Sequence, residues 1–124
     1  RNGLRVIISG DTAELSSGIS TLDGCDLLIY EATFVEDAAK WADEFLHSTA
    51  TGAARTAIQC GAKHLAITHY SSRTKDSGEP LREAQSILQD SVISSSALSD
   101  GDRIIIEDDG QIIHLFWNGT GWSR

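Results

Sequence analysis

Val6, Ile7 and Ile8 form an unbroken apolar triplet within Leu4 to Ser9, and Gly10-Asp11-Thr12 ends it. A continuous apolar run of this kind predicts a strand covered on both faces. Cys25 to Tyr30 predicts a second buried strand and Lys63 to Thr68 a third. Between them the hydrophobic period lengthens. Ala13 to Ile19 predicts a short helix. Val35, Ala38, Ala39, Ala42 and Leu46 make one stripe of a helix over 35–46. Ala50, Ala53, Ala54, Ala57 and Ile58 make another, with Ser48 or Thr49 as its cap and Gly61 at the C′ position. The small side chains of this stripe let the helix sit close to a sheet.

Tyr70 to Gly78 reads as a polar loop. Pro80 is placed as the first residue of a helix running to about Ile93, with Leu81, Ala84, Leu88 and Val92 inward. Ser94-Ser95-Ser96 breaks that pattern. Arg103 to Glu107 and Gln111 to Trp117 flank Asp108-Asp109-Gly110, which predicts a hairpin. Residues 118–124 read as a tail. Strand–helix–strand order with short connections predicts an α/β layer.

The 124 residues fit one domain over 1–124, long enough to bury a core without staples. No apolar run approaches the ~20 residues a membrane span needs, and no signal-peptide pattern is visible. Cys25 and Cys60 lie in or beside apolar segments and read as two buried, reduced thiols; their spacing excludes a CxxC zinc site. A net charge of −8, with no Lys/Arg-rich run, disfavours a broad phosphate-gripping surface. It leaves room for a single cation at a catalytic mouth.

Asp11, Glu31 and His69 each follow an apolar strand. In open α/β sheets, catalytic and ligand groups gather at the carboxyl ends of strands. Taken singly, Asp11 reads as a turn or capping carboxylate, Glu31 as a solvated strand end and His69 as a core histidine. Three such groups on three strand ends point to a shared site.

Four linked segments then carry a resemblance. They are Ser-Gly-Asp-Thr at 9–12, Leu-Leu-Ile-Tyr-Glu-Ala-Thr-Phe at 27–34, His-Ser-Thr-Ala-Thr at 47–51, and Gly-Ala-Lys-His-Leu-Ala-Ile-Thr-His-Tyr-Ser-Ser-Arg at 61–73. Together they resemble the C-terminal half of ribonuclease Z, the tRNA 3′-processing endonuclease of the metallo-β-lactamase superfamily. The match covers Val6 to Arg73, and Asp100-Gly101 before a strand fits the family's ending more loosely. The resemblance implies half of an αββα sandwich, one mixed sheet with covering helices. It implies Asp11 as the carboxylate bridging two zinc ions and His69 as a ligand of one. It implies His47 as the general acid protonating the leaving 3′ oxygen, Glu31 as the group orienting or charging it, and Arg73 as a contact to substrate phosphate. A tRNA precursor is the implied substrate and the cytoplasm the implied location.

The departures from the family pattern are specific. Tyr30 stands where a histidine usually precedes Glu-Ala-Thr, and the His-x-His-x-Asp-His signature that supplies most zinc ligands is absent. His64 and His114 read as structural or surface residues and do not replace those ligands. The matching positions supply two ligands where zinc needs three or four. Alone, the chain is expected to be inactive and, with an uncovered inner sheet face, to form a homodimer or higher oligomer. Two other functions fit less of the sequence. One is a non-catalytic interaction domain that kept a hydrolase half-fold. The other is a small-substrate phosphodiesterase or arylsulfatase of the same superfamily.

Overall fold

Four strands pair side by side and all in parallel: β1 (Val6–Ile8), β2 (Leu27–Glu31), β3 (His64–Thr68) and β4 (Ser94–Ala97). A computed structural model describes residues 3–8, 24–31, 49–68 and 79–124. Val6 pairs with Leu27, Leu27 with His64, and His64 with Ser94. Alternation along the strands then sets two faces. Leu28, Tyr30, Leu65 and Ile67 point into one core with the helices.

Helix α1 (Ala50–Gln59) covers that face. Thr49 caps it: the Thr49 Oγ1 accepts the Gly52 N–H at 2.9 Å, satisfying one of the amides that a helix start leaves open. Ala50, Ala53, Ala54 and Ala57 are all fully buried, so the backbone itself approaches the sheet. Gly61, at φ 63°, reverses the chain after the last turn. Helix α2 (Glu79–Leu88) adds Ala84 and Leu88 to the same core. Cys25 and Cys60 are buried there as thiols, not joined in a disulfide.

The second sheet is antiparallel, in the order β5 (Arg103–Ile106), β6 (Ile112–Trp117), β7 (Trp122–Ser123). Gly110, at φ 89°, turns the β5–β6 hairpin, its N–H donating to the Glu107 carbonyl at 2.8 Å.

The half-sandwich implied by the resemblance holds, and among the described residues its strands lie in a parallel sheet and an antiparallel one. Ser94-Ser95-Ser96 lies beyond the helix, as the broken pattern predicts, and forms most of β4, its backbone paired with β3. Several other expectations change. The preceding helix ends at Leu88, where the Ser91 hydroxyl and amide both bond the Leu88 carbonyl. Val92 is therefore fully exposed rather than inward. Ile58 is also exposed and not on the buried stripe of α1. The tail yields β7, because Trp122 and Ser123 find partners in Trp117 and Phe116. Strand β1 is not covered on both faces: Val6 and Ile8 are exposed, while Ile7 packs against the core. The predicted helices over 13–19 and 35–46 and the loop over 70–78 lie outside the described residues.

Candidate active site

Because β1, β2 and β3 run parallel, Ile8, Glu31 and Thr68 end at one edge of the sheet, with Ile8 level with Ile29 and Glu31 level with Thr68. Helix α1 must run back against the strands to connect β2 to β3. Its far end confirms that direction: the Cys60 carbonyl accepts the Gly24 N–H at 2.7 Å, and the Cys25 carbonyl accepts the Lys63 N–H at 3.1 Å, both at the amino edge. The start of α1 therefore lies at the carboxyl edge, with the strand ends.

This edge is where the chain delivers the segments carrying the sequence motifs. Asp11 follows Ile8 by three residues, His69 follows Thr68 directly, and His47 precedes the capping Thr49 by two. Glu31 is the last residue of β2. Asp11, His47, His69 and Arg73 themselves lie outside the described residues, as does the Glu31 side chain. The start of α1 is fixed from two sides. Besides the Thr49 cap, the Glu83 Oε2 of α2 accepts the Thr51 N–H at 3.0 Å, placing a carboxylate at the positive end of the helix dipole.

The zinc ions implied by the resemblance require three or four ligands each. Among the described residues no group of three His, Cys, Asp or Glu side chains is placed to hold a metal. The described residues thus do not form a zinc site; Asp11 and His69, the ligands that the resemblance implies, lie outside them. A groove between α2 and β4, lined by Gln85, Leu88, Ser91, Ile93 and Ser94 among others, opens at the opposite, amino edge.

The sequence missed a second cluster of chemistry-bearing side chains. Neither His64 nor His114 is a free surface group. The His64 Nδ1 meets the Ser94 Oγ at 2.6 Å and its Nε2 meets the Ser96 Oγ at 2.9 Å. The same Ser96 Oγ meets the His114 Nδ1 at 2.7 Å, and the His114 Nε2 reaches the Asp102 Oδ2 at 2.9 Å. Asp102 also accepts the Trp117 and Ser99 amide N–H groups at 2.9 and 3.0 Å. Burial alone would raise the Asp102 carboxyl; these hydrogen bonds outweigh it and hold the group below its ordinary value. Burial first, and then the charge of His114, push His64 down to about 4. The signal was in the sequence: Ser94 and Ser96 alternate onto one face of a strand register-paired to His64.

The two thiols behave as core atoms. Burial, with Cys60 alongside, pushes Cys25 up to about 12, so it stays a neutral thiol. At the amino edge the Asp26 carboxylate ties three strand starts together, accepting the Arg5 N–H at 2.9 Å and the Lys63 Nζ at 3.1 Å.

This arrangement of sheets and helices has solved counterparts. The metallo-β-lactamase fold protein YhfI from Bacillus subtilis superposes with a TM-score of 0.69 over 88% of this chain and 39% of its own, at 21% identity. Human tRNase Z, short form, superposes with a TM-score of 0.55 at 30% identity, over 76% of this chain and 31% of its own. The fold is that of the metallo-β-lactamase proteins. No protein-family model matches the chain. By sequence the chain is similar to ribonuclease Z. Ribonuclease Z of Porphyromonas gingivalis is 42% identical over 94 residues, 76% of this chain and 31% of the relative. That of Nitrosopumilus maritimus is 40% identical over 98 residues, 79% of this chain and 32% of the relative. The chain thus spans about a third of the length of the curated relatives it matches.

Proposed function

We propose that this chain carries the C-terminal part of a zinc-dependent phosphodiesterase resembling ribonuclease Z, cleaving tRNA precursors on the 3′ side. The observation that supports it best is the convergence of three parallel strand ends and the start of α1 on one sheet edge, each leading into a motif of that family. Asp11 and His69 would hold the metal from this chain, Asp11 as the shared carboxylate. A carboxylate has two oxygens to share, and neutral imidazole suits zinc. Bound metal would supply Lewis acidity and activate a water at neutral pH. His47 delivers a proton to the leaving 3′ oxygen, Glu31 keeps that imidazole charged and oriented, and Arg73 binds a phosphate.

Residues 1–124 act in this reading as a single unit that is inactive alone, located in the cytoplasm. The bare inner sheet face at β1, opposite the helices, where Val6 is 45% and Ile8 68% exposed, supports association with a second copy. Sedimentation of the 124-residue chain as a monomer at high concentration would count against that association. For the chemistry, the test uses a full-length protein containing this stretch, assayed for precursor cleavage and zinc content. His47→Ala is expected to cut turnover by 10²-fold or more and to leave bound zinc unchanged; loss of zinc refutes the general-acid role. Asp11→Ala is expected to lose metal, and full zinc content in that variant refutes the bridging role.

A further inference from the structure

The cluster of Ser94, His64, Ser96, His114 and Asp102 joins the two sheets, since His64 and the serines belong to β3 and β4 while His114 belongs to β6. We propose that it is a pH-sensitive latch between the sheets, closed while the two imidazoles share at most one extra proton and opened when both are charged.

Hydrogen counting carries the inference. Asp102 is a carboxylate and only accepts, so the His114 Nε2 carries a proton. With His114 neutral, its Nδ1 must accept, and Ser96 donates its O–H there. The Ser96 Oγ then accepts from the His64 Nε2–H, which leaves the His64 Nδ1 to accept the Ser94 O–H. Every contact is satisfied and every donor points toward Asp102. One proton added at the His114 Nδ1 reverses the order. His114 now donates to Ser96, Ser96 to the His64 Nε2, and the His64 Nδ1–H to Ser94. The Ser94 O–H turns to the Lys63 carbonyl, 3.4 Å away. Nothing is lost, and the imidazolium is paired with Asp102 at 2.9 Å.

A second proton has no such place. The Ser96 Oγ would face an N–H from each ring, and its own hydrogen would have no ring acceptor. Two imidazolium ions would also stand across one hydroxyl, with Asp102, on the far side of His114, the one carboxylate of the cluster among the described residues. Among the described residues, the other charged groups beside His64 give no relief. Asp26, at the start of β2, is taken by the Lys63 Nζ and the Arg5 N–H, and β4 contributes only serines. The depressed titration of His64, to about 4, agrees with this geometry.

The sign follows from linkage. His64 binds its proton in the unfolded chain at an ordinary value of 6.5 and in the latched state at about 4, and opening that exposes the ring moves it toward the first. The latch is at full strength above the first value, weakens as pH falls between them, and loses no more below the second. A gap of this size corresponds to a roughly 300-fold fall in the closed-to-open ratio.

The test is NMR on the 124-residue chain. Ring resonances of both histidines are titrated, and exchange protection is followed at the Trp117 amide, which Asp102 holds. The expected result is a His64 transition near pH 4 and a matching fall in Trp117 protection between pH 6.5 and 4. In His64→Gln, which can bond both serines and cannot take the proton, this fall shrinks to within about threefold of flat. A His64 transition at its ordinary value overturns the latch. So does a Trp117 amide that loses protection identically in wild type and variant. The ring titration needs no variant, so a variant that fails to fold leaves the proposal open to refutation.

Discussion

Gly101→Ala is predicted to be among the more damaging single-methyl additions in the second sheet. Gly101 sits at φ +88°, and a Cβ there would lie 2.5 Å from the Trp117 Cδ1 and 2.8 Å from its Cγ. The tryptophan has no easy retreat. Its amide is held by Asp102 at 2.9 Å, and its ring lies 4.5 Å from that of Trp122. Trp122 in turn carries the Arg103 guanidinium 3.6 Å over its face and donates its Nε1–H to the Gly101 carbonyl at 2.9 Å. An L-residue in the left-handed region costs about 1–2 kcal/mol, and overpacking a filled site about 1–3 kcal/mol more. The sum, about 3 kcal/mol, is on the order of a hundredfold in the folding equilibrium. Gly119 is the control: its φ is +100°, but nothing lies within 4 Å of a Cβ built there. Gly119→Ala therefore carries the backbone cost alone. Urea unfolding read by near-ultraviolet circular dichroism of the tryptophans measures both. Equal losses in the two variants would show that Trp117 yields freely, and would refute the claim that the indole pair is locked.

Two further predictions concern the helix that leads out of the candidate site. Thr49→Ala removes the oxygen that accepts the Gly52 amide, and should cost about 1 kcal/mol by denaturant unfolding, with Thr49→Ser restoring most of it. Ala57→Leu inserts a side chain where the native residue is fully buried against the sheet side of α1. It should destabilise by about 1–3 kcal/mol, and a thermal midpoint equal to wild type would mean that the helix is not seated as closely as its alanines imply.

The parallel strands and α1 were legible because their signals were local: apolar runs, a Thr cap, a stripe of alanines and Gly61 at the end. What was missed depended on partners distant in sequence. Serines are not among the favoured strand formers, and β4 exists because β3 offers it a backbone ladder and His64 offers its hydroxyls one acceptor and one donor. Trp122 and Ser123 pair only because Phe116 and Trp117 are already extended beside them. Val92 fitted a helical stripe but lies beyond the point where Ser91 ends the helix. Of the candidate site, the motifs and their strand ends were readable in order. The exposed face of β1 was not, because an apolar triplet looks the same whether or not something lies over it.

The topology also dictates an order of assembly. Every pairing in the parallel sheet closes a long stretch of chain: 21 residues separate Arg5 from Asp26, 30 separate His64 from Ser94, and 37 separate Asp26 from Lys63. Each is slow, because the entropy of a long loop is lost before any contact rewards it. The β5–β6 hairpin closes over one short turn, a microsecond-scale event. The hairpin is therefore ready first, with His114 and Asp102 already neighbours. It waits for β3 and β4 to arrive with the remaining histidine and serines, so the joint between the sheets records the completion of folding.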